Sequence, residues 1–145
     1  MNPNRFRRLV ELRRIREETA ANALARVMAR IRKVEGEIAG LDRETEEEKR
    51  MAKENLASGC PLSPKMYEDF FRGQMWRRRR MEEHKGRLLL ESQSARKNWL
   101  DARTLLEQAG KLAQKADAVQ IKEERRKEGK ELDMMGVLGA SHSIS

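Results

Sequence analysis

Between Ala20 and Leu41 the apolar side chains fall at Ala20, Leu24, Val27, Ile31, Val34, Ile38 and Leu41, in alternating steps of four and three. A stripe that returns every 3.5 residues, with charges filling most other places, is the a/d rhythm of a coiled coil. It commits the segment to a long helix that buries one narrow seam. Phe6, Leu9, Leu12 and Ile15 carry the apolar stripe toward the N-terminus with a drift in phase.

The second half repeats the pattern. Leu88, Ser92, Ala95, Trp99, Ala102, Leu106, Ala109, Ala113 and Ala116 again alternate by four and three, and only Ser92 is polar. Composition agrees with a thin seam: 39% of the residues are charged and 38% hydrophobic, against roughly 25% and about 45–50% in an ordinary soluble domain. A thick core is excluded.

What separates the two patterns is "SGCPLSP", residues 58 to 64. Gly59, Pro61 and Pro64 break helices, and Ser63 before Pro64 is a suitable N-cap. So short a break implies antiparallel neighbours. The expectation is all-α: one antiparallel two-helix coiled-coil hairpin over residues 1–135. Helix 1 would span about 4–57, the tip loop 58–64 and helix 2 about 65–132, with 136–145 a flexible, frayed tail. At 1.5 Å per residue the arms would be on the order of 80 to 100 Å long.

Folding back near residue 61 pairs residues whose numbers sum to roughly 122. Glu44, Glu46, Glu47 and Glu48 would then lie beside Arg77, Arg78, Arg79 and Arg80, and Trp99 opposite Ala23 and Leu24.

The search for chemistry returns little. There is no phosphate-binding loop, no HExxH, no GxSxG and no paired cysteine. His84 near the seam and His142 in the tail are too far apart to act together, and Cys60 on the tip loop reads as an ordinary thiol. No catalytic, cofactor or metal residues are assigned, and the protein reads as a non-enzyme. It has no run of 18 apolar residues and no secretory signal at its start, so a cytosolic location is the default.

Two surfaces stand out instead. In "MYEDFFRGQMWRRRR", residues 66 to 80, the helix 2 seam projects back through Tyr67, Phe71, Gln74, Arg78 and Met81. Phe70 falls on the shoulder, Met66 further out, and Trp76 points away from the seam among Arg72, Arg77 and Arg80. Exposed Trp and Arg favour partner docking; the plainer alternative lays Trp76 along its own helix with Arg80 stacked on it. The second surface is the start of the chain. Residues 1 to 16 hold six arginines against Glu11, and the net charge of the whole is +8. Such a basic amphipathic segment suits a nucleic acid, an acidic membrane surface or an acidic protein groove. The stretch from Lys122 to Lys130 holds five cations against three acids and would return near the same end.

With "RLVELRRIREETA" at the start and "YEDFFRGQMW" after the loop, the chain resembles the central stalk protein of type III secretion systems, of FliJ type in flagella and YscO type in injectisomes. That resemblance implies a hairpin whose paired termini enter a hexameric secretion ATPase. The ATPase end would be Arg5, Phe6, Arg7, Arg8, Arg13 and Arg14 with Lys122, Arg125 and Arg126. The loop-proximal part would meet the cytoplasmic ring of the export gate through Met66, Phe70, Trp76, Arg77 and Arg80. The resemblance also implies secretion chaperones as partners, a monomer in isolation and a cytoplasmic place at the base of the apparatus. The proline-bounded tip and serine-containing tail lean toward the injectisome branch. The rivals are a coiled-coil scaffold dimer and a basic helical nucleic-acid-binding protein. The second is disfavoured because the cations are interleaved with 24 acids and no groove-reading module is present.

Overall fold

The structure, a computed structural model, describes residues 2–59 and 63–144, with side chains as far as 137. Two helices make up the fold, α1 (Pro3–Ala57) and α2 (Pro64–Ile144). The chain is an all-α helical hairpin, as the two heptad patterns predict. Cys60 and Pro61 of the tip loop, and the side chains of the serine-containing tail, lie outside the described residues.

Local chemistry fixes the helix ends. Asn2 Oδ1 accepts the Asn4 N–H at 3.1 Å, and Pro3 holds the first helical position, where a missing N–H costs nothing. α1 stops where Gly59 takes φ 73° and the Ser58 N–H donates to the Glu54 carbonyl at 3.0 Å. Glycine fills that position because a left-handed φ carries no Cβ penalty there. α2 opens at Pro64, one residue before the expected start, and the Ser63 carbonyl accepts the Met66 N–H at 2.9 Å. It then runs to Ile144 rather than stopping near 132. No proline follows Pro64, and the glycines after 128 weaken a helix without breaking it.

Both helices contribute to two compact units. Unit 1 comprises the residues up to Thr19 and those from Leu100; unit 2 is Ala20–Trp99. Unit 2 has a continuous apolar seam. Val27, Ile31, Val34 and Ile38 of α1 pack with Leu88 of α2, and Met28 and Met81 close over the cluster. Leu41 is buried too. Beyond it the seam admits one polar layer. Gln74, buried, donates from Nε2 to Thr45 Oγ1 at 3.3 Å, and Thr45 Oγ1 donates to the Leu41 carbonyl at 2.9 Å. Among the described residues no fully buried side-chain nitrogen or oxygen is left without a partner, as burial demands. Nearer the loop, Tyr67 stacks on Phe71 with ring centres 6.5 Å apart, and its hydroxyl accepts from Asn55 Nδ2 at 3.2 Å.

Unit 1 is built differently. Its only buried side chains among the described residues are Ala109 and Ala116. The α1 side of its seam continues the four-three rhythm back through Arg13, Val10 and Phe6, all half-buried. Leu12 and Ile15, expected on the stripe, are exposed instead. The reason is geometric. Steps of three residues fall about 60° short of a full turn each time, so 6, 9, 12 and 15 wind off a seam that the four-three rhythm keeps straight.

Candidate partner-binding surfaces

Cross-helix contacts fix the register. Arg78 reaches Asp42 with Nε at 3.0 Å, Lys85 meets Glu35 at 3.8 Å and Arg30 meets Glu91 at 3.6 Å in unit 2; Arg7 meets Asp117 at 3.4 Å in unit 1. These pairs stay within two of the expected sum of 122. The acidic block does not behave as expected. Glu46 binds Lys49, and Glu47 and Glu54 bind Arg50, all within α1. Neighbours one turn away on the same helix reach each other with short side-chain excursions, and that wins over the reach to Arg77–Arg80. Only Arg78 of those four arginines crosses, and it takes Asp42. Asp42 raises the Arg78 pKa, first by hydrogen bonding and then by its charge. Arg50 likewise holds the Glu47 carboxyl below its ordinary value, through hydrogen bonding and then charge.

The loop-proximal aromatic segment lies in unit 2. Phe70 is half-buried and packs edge-on to Phe71 at 5.4 Å, so it belongs to the tip core as much as to the surface. Met66 and Trp76 are exposed, at 61% and 56%. Arg80 lies over the Trp76 ring, 4.9 Å from its centre, which is the stacked arrangement named as the alternative. Trp76 as a residue stays more than half exposed despite the stack, and Arg77 beside it is exposed. Met75, at 68%, adds an apolar side chain that the site expectation left out. Its place one residue before Trp76, off the seam, was the signal for it. Expected near the seam, His84 is instead exposed.

The basic termini come together in unit 1. Arg7 of α1 shares a shallow groove with Asp117, Gln120, Ile121 and Glu124 of α2. Lys122, Arg125 and Arg126 follow on the same helix, all exposed. The arginines of α1 are not equivalent. Arg7 pairs with Asp117 and Arg14 with Glu11, while Arg13 sits half-buried in the seam. Arg5 and Arg8 instead border a groove of about 620 Å³ whose floor is Phe6, Leu9 and Leu12.

A thin pair of helices with a basic start, a tip aromatic cluster and this break spacing is matched across residues 1–142 by one family model, that of the flagellar FliJ protein. The chain belongs to the FliJ family. FliJ proteins are stalk components of flagellar and type III export rather than enzymes. No curated protein and no solved structure matches the chain significantly. Among the described residues no group of three His, Cys, Asp or Glu is placed to hold a metal ion, and no helix is long and apolar enough to cross a membrane.

Proposed function

We propose that this FliJ-family chain is the central stalk of a type III export machine, engaging a hexameric secretion ATPase through unit 1 and the export gate through the exposed residues of unit 2. The match over residues 1–142 carries the reading. The two surfaces support it: Arg5, Phe6 and Arg8 with Lys122, Arg125 and Arg126 for the ATPase, and Met66, Trp76 and Arg77 for the gate. The stalk transforms no substrate. A helical pair inside a ring makes unequal contacts with the subunits, and unequal contacts bias their nucleotide states differently. The "RRRR" block of residues 77–80 calls for acidic groups on the gate surface facing it. Export chaperones are further partners of the same surfaces, and the cytoplasmic base of the apparatus is the site of action. The injectisome branch rests on the tip and tail sequence alone.

The decisive measurement mixes the purified chain with the secretion ATPase from the same genome and follows hexamer assembly and ATP turnover. The stalk raises both, and Arg5→Glu with Arg8→Glu removes most of the gain. Unchanged assembly and turnover with the native chain would remove the mechanism. Sedimentation separates the scaffold rival, which requires a dimer.

A further inference from the structure

In an antiparallel helix pair the residues just before each a position meet along one edge, and those just after each d position along the other. Arg30 and Glu91 pair on the first edge, and Arg7 and Asp117 on the second. Sorting the side chains of unit 1 by edge gives an uneven result. On the edge of Arg7 and Asp117, and just behind it, the carboxylates Glu11, Glu107 and Asp117 are each engaged, by Arg14, Arg103 and Arg7. The other edge is apolar. Leu105, Leu112 and Val119 follow one another at intervals of seven, a straight line about 21 Å long on α2. They are 40%, 44% and 42% exposed. Leu9 and the 45%-exposed Leu12 of α1 lie on the same edge, in the floor of the groove described above.

The borders of this apolar line carry one sign of charge. Arg5, Arg8 and Arg16 flank it on α1, and Lys111, Lys115 and Lys122 on α2; no carboxylate occupies the flanking positions between Leu105 and Lys122. None of these six cations makes an ion pair among the described residues. Unit 2 has no such line: its corresponding edge carries Ala23, Arg30, Glu91 and Asn98.

We propose that this edge of unit 1 seats an amphipathic α-helix of a partner protein, about four turns long, with an apolar stripe and acidic flanks. The length matches the apolar line, and two rows of cations on either side complement carboxylates bordering a leucine stripe. A second copy of this chain would bring like-charged borders together. A membrane surface is disfavoured by the narrowness of the line and the lack of an interfacial Trp or Tyr along it. Arg5, Arg8 and Lys122 are shared with the surface proposed for the ATPase, whereas Leu105, Leu112 and Val119 are not. The peptide titration below therefore reads this edge without the ATPase, and its failure is distinct from a failure of ATPase stimulation.

The test uses the full chain and three fluorescein-labelled helical peptides of about 18 residues. All share one leucine stripe, and the flanks are Glu, Gln or Lys. Anisotropy titration should show the Glu-flanked peptide binding at least about tenfold more tightly than the Gln-flanked one, with no binding of the Lys-flanked one. Leu105→Gln with Leu112→Gln keeps helix propensity and should weaken the Glu-flanked peptide about tenfold. Leu89→Gln, an exposed change in unit 2, should leave it unchanged. Equal binding by native chain and double variant, or indifference to flank charge, overturns the proposal. So does failure of every peptide to bind, with or without capture of the native chain but not the variant by phosphatidylserine vesicles. A micromolar dimer abolished by the double variant would assign the edge to a second copy and likewise overturn it.

Discussion

Units 1 and 2 use the same helical rhythm for opposite ends. In unit 2 the branched aliphatic residues sit on the seam, where Val27, Ile31, Val34, Ile38 and Leu88 bury one another. In unit 1 the seam of α2 is alanine apart from the half-buried Leu106, and Leu105 and Leu112 stand beside it in solvent. Burying a methyl instead of an isobutyl group forgoes most of the apolar area that could hold the helices together. Unit 2 is therefore the part that secures the hairpin. Unit 1 leaves its apolar side chains in solvent, at a cost in its own stability.

The contrast is most exposed to failure in the core of unit 2. Ile31→Ala should lower the unfolding free energy by about 2–5 kcal/mol, as for other large-to-small core changes. Leu112→Ala in unit 1 should stay within about 0.5 kcal/mol, the range for exposed substitutions. Urea titrations of both variants measure the difference, and similar costs would erase the distinction between the units.

Next in size is Ala116→Leu. If alanine is there because the unit 1 seam leaves little room, the added side chain should cost about 1–3 kcal/mol by overpacking. A stabilised variant would show instead that the seam is underfilled.

Gln74→Leu should change stability little while weakening register, because a single polar layer on a seam specifies axial alignment better than it stabilises. Spin labels at the exposed Lys33 and Arg87 report it. The native chain should give one narrow distance distribution and the variant a broader or doubled one. An unchanged distribution would mean that the aliphatic seam alone sets the alignment.

The smallest effect concerns Glu47. Its carboxyl is held low by Arg50, so its contribution is complete above the ordinary glutamate range and is lost as pH falls through the depressed value. The pair is fully exposed, so the acid limb of the melting profile should shift only slightly. Glu47→Gln should remove that slight shift, and a large shift would mark a coupling to the seam.

Much of this was legible beforehand. Ile31, Ile38, Leu88, Ala109 and Ala116 could be placed on the seam by counting, because the α-helix has a fixed angular step and each residue's face follows from its neighbours. Pro64 and Gly59 marked the helix ends for equally local reasons. Counting failed at Leu12 and Ile15, where apolarity and seam phase part company, and at Glu46 and Glu47, where partners on the same helix were closer than those across it. Of the candidate surfaces, Trp76 and the terminal arginines were visible as composition. The line of Leu105, Leu112 and Val119 could be set beside the seam by the same counting, but which α1 side chains border it follows only from how the two helices pair.

The amino-acid order alone determined two long helices, the break between them and the face each would bury, all through interactions a few residues in range. Only the tertiary structure decided which edge became ionic and which stayed apolar and basic. That depends on the axial and rotational alignment of α1 against α2. Contacts such as Gln74 with Thr45 and Arg7 with Asp117 mark that alignment; they join residues far apart in the chain, and no local periodicity encodes it.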